Sequence, residues 1–120
     1  MRRQTELMAC PCCGYYTLAA RASYEICPVC WWEDDGQDND QANEAWGGPN
    51  SDLSLAQARI NFLTSGISNP DRTDLRSCQH ESSAYDQGRV FVLSRDGLSV
   101  SEPAVGWSSD ESQVESRIAY

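Results

Sequence analysis

Apolar positions recur with a helical period most clearly in "SLAQARINFLTSG". There Leu55, Ala58 and Phe62 fall on one stripe, joined at its edge by Leu63, as in a helix laid on a core. Ser54 is placed to cap this helix, Gln57 sits three residues on as in a capping box, and Gly66 suits the left-handed position after the last turn. The spacing predicts a helix from about Leu55 to Ser65. Upstream, "YYTL" and "SYEIC", separated by "AARA", read as two short strands of one hairpin. Between hairpin and helix, "WWEDDGQDNDQANEAWGGPNSD" has no sustained period. Its Gly, Asn and Pro mark a long loop, with a short helical turn expected around Gln41–Trp46.

Past Asn69–Pro70 the pattern changes. "DRTDLRSCQHESSAYDQG" is polar and unperiodic, whereas "RVFVLSRDGLSV" carries apolar residues on both sides of Asp96–Gly97, a hairpin signal within residues 89–100. The segment from Gly106 to Tyr120 reads as a loose end, with Ile118–Tyr120 able to return to the body. These elements divide the chain into a domain over residues 7–70 and a polar extension over 71–120. The expected class is small α+β: a stapled hairpin, one packed helix and an extension containing a second hairpin.

Composition sharpens this picture. A chain of 120 residues suggests one domain, tailed in this way. Bulky aliphatics are sparse and Ser, Asp, Asn and Gln common, so the core is thin and wants a staple. The formal charge of -9 is concentrated: residues 31–50 hold six acids and no base, and the chain has no lysine. Such a surface repels phosphate backbones and argues against a general nucleic-acid binder. No run of eighteen apolar residues occurs and "MRRQTELMAC" lacks the apolar region of a secretory signal, so neither a membrane span nor export is expected.

The staple is written in "CPCCG" and "CPVCWW". Cys10 with Cys13 and Cys27 with Cys30 form two Cys-x-x-Cys turns, thirteen residues apart, far enough for a hairpin to bring them together. Two such turns supply the four thiolates of a tetrahedral zinc site. In a chain without an export signal they point to metal ligation in a reducing compartment, the cytoplasm. Cys12 lies between the first pair, either as an alternative ligand, a small buried apolar residue or a spare nucleophile beside the metal. Cys78 and His80 make a Cys-x-His pair in a polar segment, read as an ordinary thiol and an exposed imidazole. No serine–histidine–acid or cysteine–histidine set is evident.

The acids Glu33, Asp34, Asp35, Asp38, Asp40 and Glu44, flanked by Trp32 and Trp46, lack the spacing of a helix–loop–helix calcium loop. They read as a solvated loop anchored by Trp31, Trp32 and Trp46, or as an edge that docks a protein with a basic surface.

Taken in order, "CPCCG", "YEICPVCWWEDDG" and "GGPNSDLSLAQARINFLTSG" closely resemble the bacterial cysteine-rich CPCC family, from about Leu7 to Pro70. Cys10, Cys12, Cys13, Cys27 and Cys30 match its cysteines, and Trp32, Glu33, Asp34 and Asp35 its tryptophan–acid motif. Asn50, Ser54, Leu55, Ala58, Arg59, Asn61 and Phe62 match its helix segment. Trp31 falls at a position that is often glycine or another aromatic. The resemblance implies a small zinc-ribbon-like domain and brings no activity with it. The functional expectation is a non-catalytic structural-zinc domain acting as an acidic protein-interaction module. The alternatives are an immunity or antitoxin-like protein that neutralises a basic toxin, a thiol-dependent enzyme using Cys12, and a nucleic-acid-binding zinc ribbon.

Overall fold

The computed structural model describes residues 6–103, and the expected loose end at Gly106–Tyr120 lies outside them. Strand β1 (Met8–Ala9) pairs antiparallel with β2 (Tyr16–Leu18), with a register shift between Met8 and Ala9. The Cys10–Cys13 turn joins them. The anticipated pairing of "YYTL" with "SYEIC" is therefore not the one formed. Ile26 instead bridges Glu33 across the second Cys-x-x-Cys turn. Each turn closes a hairpin on itself, so the nearest backbone partner is the segment leaving the same turn. The intervening "AARA" stretch becomes a bend held by side chains. Both Glu25 carboxylate oxygens accept from the backbone of Ala19 and Ala20, and Asp34 Oδ2 accepts from Ala22 N–H.

Helix α1 (Leu55–Ser65) has the predicted ends. Ser54 Oγ accepts from Gln57 N–H at 3.1 Å, and Gly66 takes a left-handed φ of 83° while donating to the Phe62 carbonyl. Gln57 does not complete a capping box; its side-chain amide donates to Asn61 one turn on. Leu55 and Ala58 are fully buried, Phe62 is half-buried and Leu63 is exposed. The stripe is completed by Arg59, which is buried. Its members face the first cysteine turn: Phe62 meets Tyr15 edge-on, with ring centroids 6.4 Å apart. Trp32, Leu18, Val29, Leu55, Ala58 and the five N-terminal cysteines share one core.

The loop before α1 contains a 3-10 turn at Asn39–Gln41, upstream of the expected Gln41–Trp46. Asp38 decides this: its carboxylate accepts from Asn39 N–H, and the Gln41 side chain returns a bond to the Asp38 backbone. A second 3-10 turn covers Gly48–Asn50. In the polar segment, 3-10 turns at Thr73–Cys78 and Ser82–Ala84 precede the hairpin of β3 (Val92–Leu93) and β4 (Val100–Ser101). That hairpin forms where the Asp96–Gly97 signal predicts it, and β4 lies against α1. The extension is hydrogen-bonded to both cysteine turns. Gly88 and Arg89 N–H donate to the Gly14 carbonyl, Tyr16 N–H to Asp86, and His80 N–H to Pro28.

Candidate metal centre

The two cysteine turns are built alike. Cys10 N–H donates to the Tyr15 carbonyl at 2.9 Å and Gly14 N–H to the Cys10 carbonyl at 2.8 Å; Cys27 N–H donates to Trp32 at 3.0 Å and Trp31 N–H to Cys27 at 2.8 Å. In each, the residue after the second cysteine has a left-handed φ, 87° at Gly14 and 67° at Trp31. This shared backbone turns both thiols of a pair toward the same point.

Stacked together, the turns gather Cys10, Cys13, Cys27 and Cys30, whose Sγ atoms all lie within 4.8 Å of one another in the core. Across the turns, Cys10 Sγ is 3.6 Å from Cys30 Sγ and Cys13 Sγ is 3.7 Å from Cys27 Sγ. A tetrahedral ion with thiolates at about 2.3 Å would separate its ligands by about 3.8 Å, so the cage has the size of a metal site. These separations are far beyond the bond of about 2.05 Å in a disulfide, and all four cysteines are free.

Electrostatics follow from packing four thiols in a dry core. Burial pushes the Cys30 and Cys13 thiols well up, and the Cys10 and Cys27 sulfurs add to the effect at both. Burial acts on Cys27 in the same sense but is outweighed by hydrogen bonds from Cys10, Cys13, Cys30 and Thr17, which hold it well below its ordinary value. Thr17 Oγ1 lies 3.1 Å from Cys27 Sγ. A cation that binds here must displace protons from the raised thiols, so ligation strengthens as pH rises.

Cys12 lies outside the group of four although it is equally buried; its N–H points 3.4 Å from Cys10 Sγ, and burial raises its thiol pKa. Cys78 is exposed, His80 Nδ1 is 2.6 Å from the Tyr85 hydroxyl, and no third metal-binding side chain joins them among the described residues. Arg59, which the sequence placed only within the helix motif, is buried beside the centre. Its Nε donates to the Pro11 carbonyl within the first cysteine turn at 2.7 Å. The available signal was its position, four residues after Leu55 and inside the apolar stripe.

The acidic loop divides into internal and external carboxylates. Trp32 and Asp34 are fully buried. Asp34 accepts from Arg21 Nε at 2.8 Å and from the backbone of Ala22 and Gly36. Asp38 receives Arg21 and Arg89, each at 2.8 Å. Burial pushes its pKa up, but Arg89 and Arg21 outweigh this and hold it far below the usual carboxylate range. Asp35 caps Gln37 N–H, and Glu33 is clasped through its backbone by both ends of the Asn50 amide. Asp40 and Glu44 are exposed, as is Trp46 at 48%, which donates its indole N–H to Glu44. Among the described residues, no helix is long and apolar enough to cross a membrane.

No curated protein and no solved structure matches the chain. The model of the cysteine-rich CPCC family matches residues 8–83, a span that takes in both cysteine turns, the acidic loop, α1 and the polar turns that pack back on them. The chain belongs to the cysteine-rich CPCC family.

Proposed function

We propose that this chain is a non-catalytic interaction module stapled by a zinc ion, with Cys10, Cys13, Cys27 and Cys30 as ligands. The observation that carries the reading is the buried cage of four Sγ atoms, 3.6 and 3.7 Å apart across the two turns. Soft thiolates in a tetrahedral set suit zinc. Four protein ligands leave no open position for water, so the metal supplies stability rather than hydrolysis. The buried, high-pKa thiol of Cys12 supports the same reading, because a nucleophile needs exposure and thiolate character. Elemental analysis of the purified protein tests it, with about one zinc equivalent per chain expected for one such four-thiolate site. Cys12→Ser is expected to keep the metal. A folded, metal-free protein with Cys10–Cys13 or Cys27–Cys30 disulfides overturns the proposal.

The docking edge of this module is formed by the exposed Asp40, Glu44 and Trp46, with Asp35 and Glu33 of the same loop adding negative charge. It would receive a protein with a basic surface, the exposed indole anchoring the contact and the carboxylates steering it. Asp38 belongs to the fold rather than to this edge, because it caps a turn and binds two arginines. The test is Asp40→Asn and Glu44→Gln together with Trp46→Ala, measured against a basic partner captured from intact cells. Slower, less salt-sensitive association at nearly unchanged thermal stability is expected; unchanged association removes this edge from consideration.

A further inference from the structure

Helix α1 carries a cation where its apolar stripe should continue. Arg59 is 3% exposed. Its Nε donates to the Pro11 carbonyl at 2.7 Å, part of the peptide that joins Pro11 to Cys12 inside the first cysteine turn. The guanidinium carbon lies 4.1 Å from the centroid of the Phe91 ring. Nη2 is buried without a hydrogen-bond partner, and its ion-pair contact is Asp38 Oδ1 at 3.7 Å.

Local compensation for this charge is poor. Asp38 is held more closely by Arg21 and Arg89, each at 2.8 Å. Glu102, another nearby acid, takes both Nε and Nη2 of Arg89. Arg89 also approaches the Phe91 ring, at 5.2 Å from its centroid, so two like charges approach one aromatic ring. A buried guanidinium so placed is unfavourable unless other negative charge faces it. Burial and then Arg89 pull its pKa down. Four thiolates around a divalent ion provide the missing charge, because they leave the centre with a negative surplus.

We infer that Arg59 is the counter-cation of the thiolate centre. Its charge offsets the surplus on the four sulfurs, and its Nε–H fixes the Pro11–Cys12 peptide so that the first turn keeps its ligating shape. The role is one of positioning and charge balance, and it rests on the zinc reading given above.

The test uses the full-length protein with zinc or cobalt(II) as the only added metal. Zinc affinity, from competition with a chromophoric chelator, is compared for wild type, Arg59→Met and Arg59→Lys. Arg59→Met should bind at least about tenfold more weakly, as for loss of an outer-sphere partner, and Arg59→Lys should recover part of the loss. In the cobalt-loaded protein the thiolate-to-metal charge-transfer band should move to lower energy in Arg59→Met, because the sulfur electrons lose a nearby cation, and move back in Arg59→Lys. A role confined to packing leaves that band in place. A folded Arg59→Met protein with unchanged affinity and an unmoved band overturns the inference.

If Arg59→Met does not fold, Arg59→Lys carries the test. It keeps the charge but loses the guanidinium geometry, so zinc binding should be weaker than in wild type and the cobalt band displaced to lower energy; unchanged affinity with an unmoved band overturns the inference. Wild-type protein that takes up no metal refutes the zinc reading and this inference with it. One equivalent of metal with no effect at Arg59 refutes the inference alone.

Discussion

The Cys10–Gly14 turn and the Cys27–Trp31 turn close with the same pair of hydrogen bonds and the same left-handed residue after the second cysteine, yet one places glycine there and the other tryptophan. Their neighbours account for the difference. At Gly14 the Gly88–Arg89 segment runs directly against the turn, and a Cβ would sit 2.0 Å from the Arg89 carbonyl oxygen. At Trp31 the same backbone conformation carries a large side chain. The side chain instead lines a cavity of about 140 Å³ with Leu53, Ile67 and Leu75. The turn dictates the sign of φ; the surrounding chain dictates whether a side chain is admitted. An L-residue in this conformation costs about 1–2 kcal/mol, which the second turn accepts and the first cannot add to a steric overlap.

The largest expected effect treats the turns as equivalent. Cys10→Ser and Cys27→Ser, one from each turn, should both lose zinc and most cooperative structure, because structural zinc binding of about 10–16 kcal/mol is folding free energy in such sites. Circular dichroism and metal analysis check this. A variant of either turn that stays folded and fully loaded would show that the halves do not share one ion.

The next substitutions make the turns unequal. Gly14→Ala combines the left-handed strain with displacement of the Arg89 backbone and should cost about 3 kcal/mol or more, loosening residues 86–91 to proteolysis. Trp31→Gly relieves strain while losing the indole and should change stability by only about 1 kcal/mol. Equal melting temperatures for the two variants would mean that both turns admit a side chain alike.

Phe62→Ala probes the first turn from the helix side. A fully buried phenylalanine would cost about 3–5 kcal/mol on truncation. Phe62 is half-buried against Tyr15, so a loss of about 2 kcal/mol is expected, read from denaturant midpoints. A loss as large as that of a core residue would mean that α1 bears on the first turn more heavily than its exposure indicates.

The smallest effect is a pH dependence at Asp38, which ties the loop after the second turn to Arg89 beside the first. Its folded pKa lies below its unfolded value of about 4. The stabilisation is thus present above that pH and is lost as pH falls through the folded value. The advantage of wild type over Asp38→Asn in thermal melts should shrink below about pH 4. An advantage that stays constant into acid would mean that the ion pairs contribute little.

Both ends of α1 were legible, since Ser54 and Gly66 act through the backbone of their own helix and need no distant partner. The Asp96–Gly97 hairpin was legible for the same reason. The partners of "YYTL" and "SYEIC" were not, because short strands carry little register information and any neighbouring edge satisfies the pattern. The acidic run was misleading in part: Asp34 and Asp38 have the composition of a solvated loop but are drawn inward by Arg21 and Arg89, cations distant in sequence.

By itself the sequence determined the family, the helix and the four-thiol set, because Cys-x-x-Cys spacing and helix caps are local devices whose geometry is set within a few residues. Tertiary structure alone decided that Arg59 is buried against Pro11, that Gly14 must be glycine, and which acids remain on the surface. Each of these depends on a contact between segments tens of residues apart, where burial, charge and steric exclusion exist only once the chain has closed on itself.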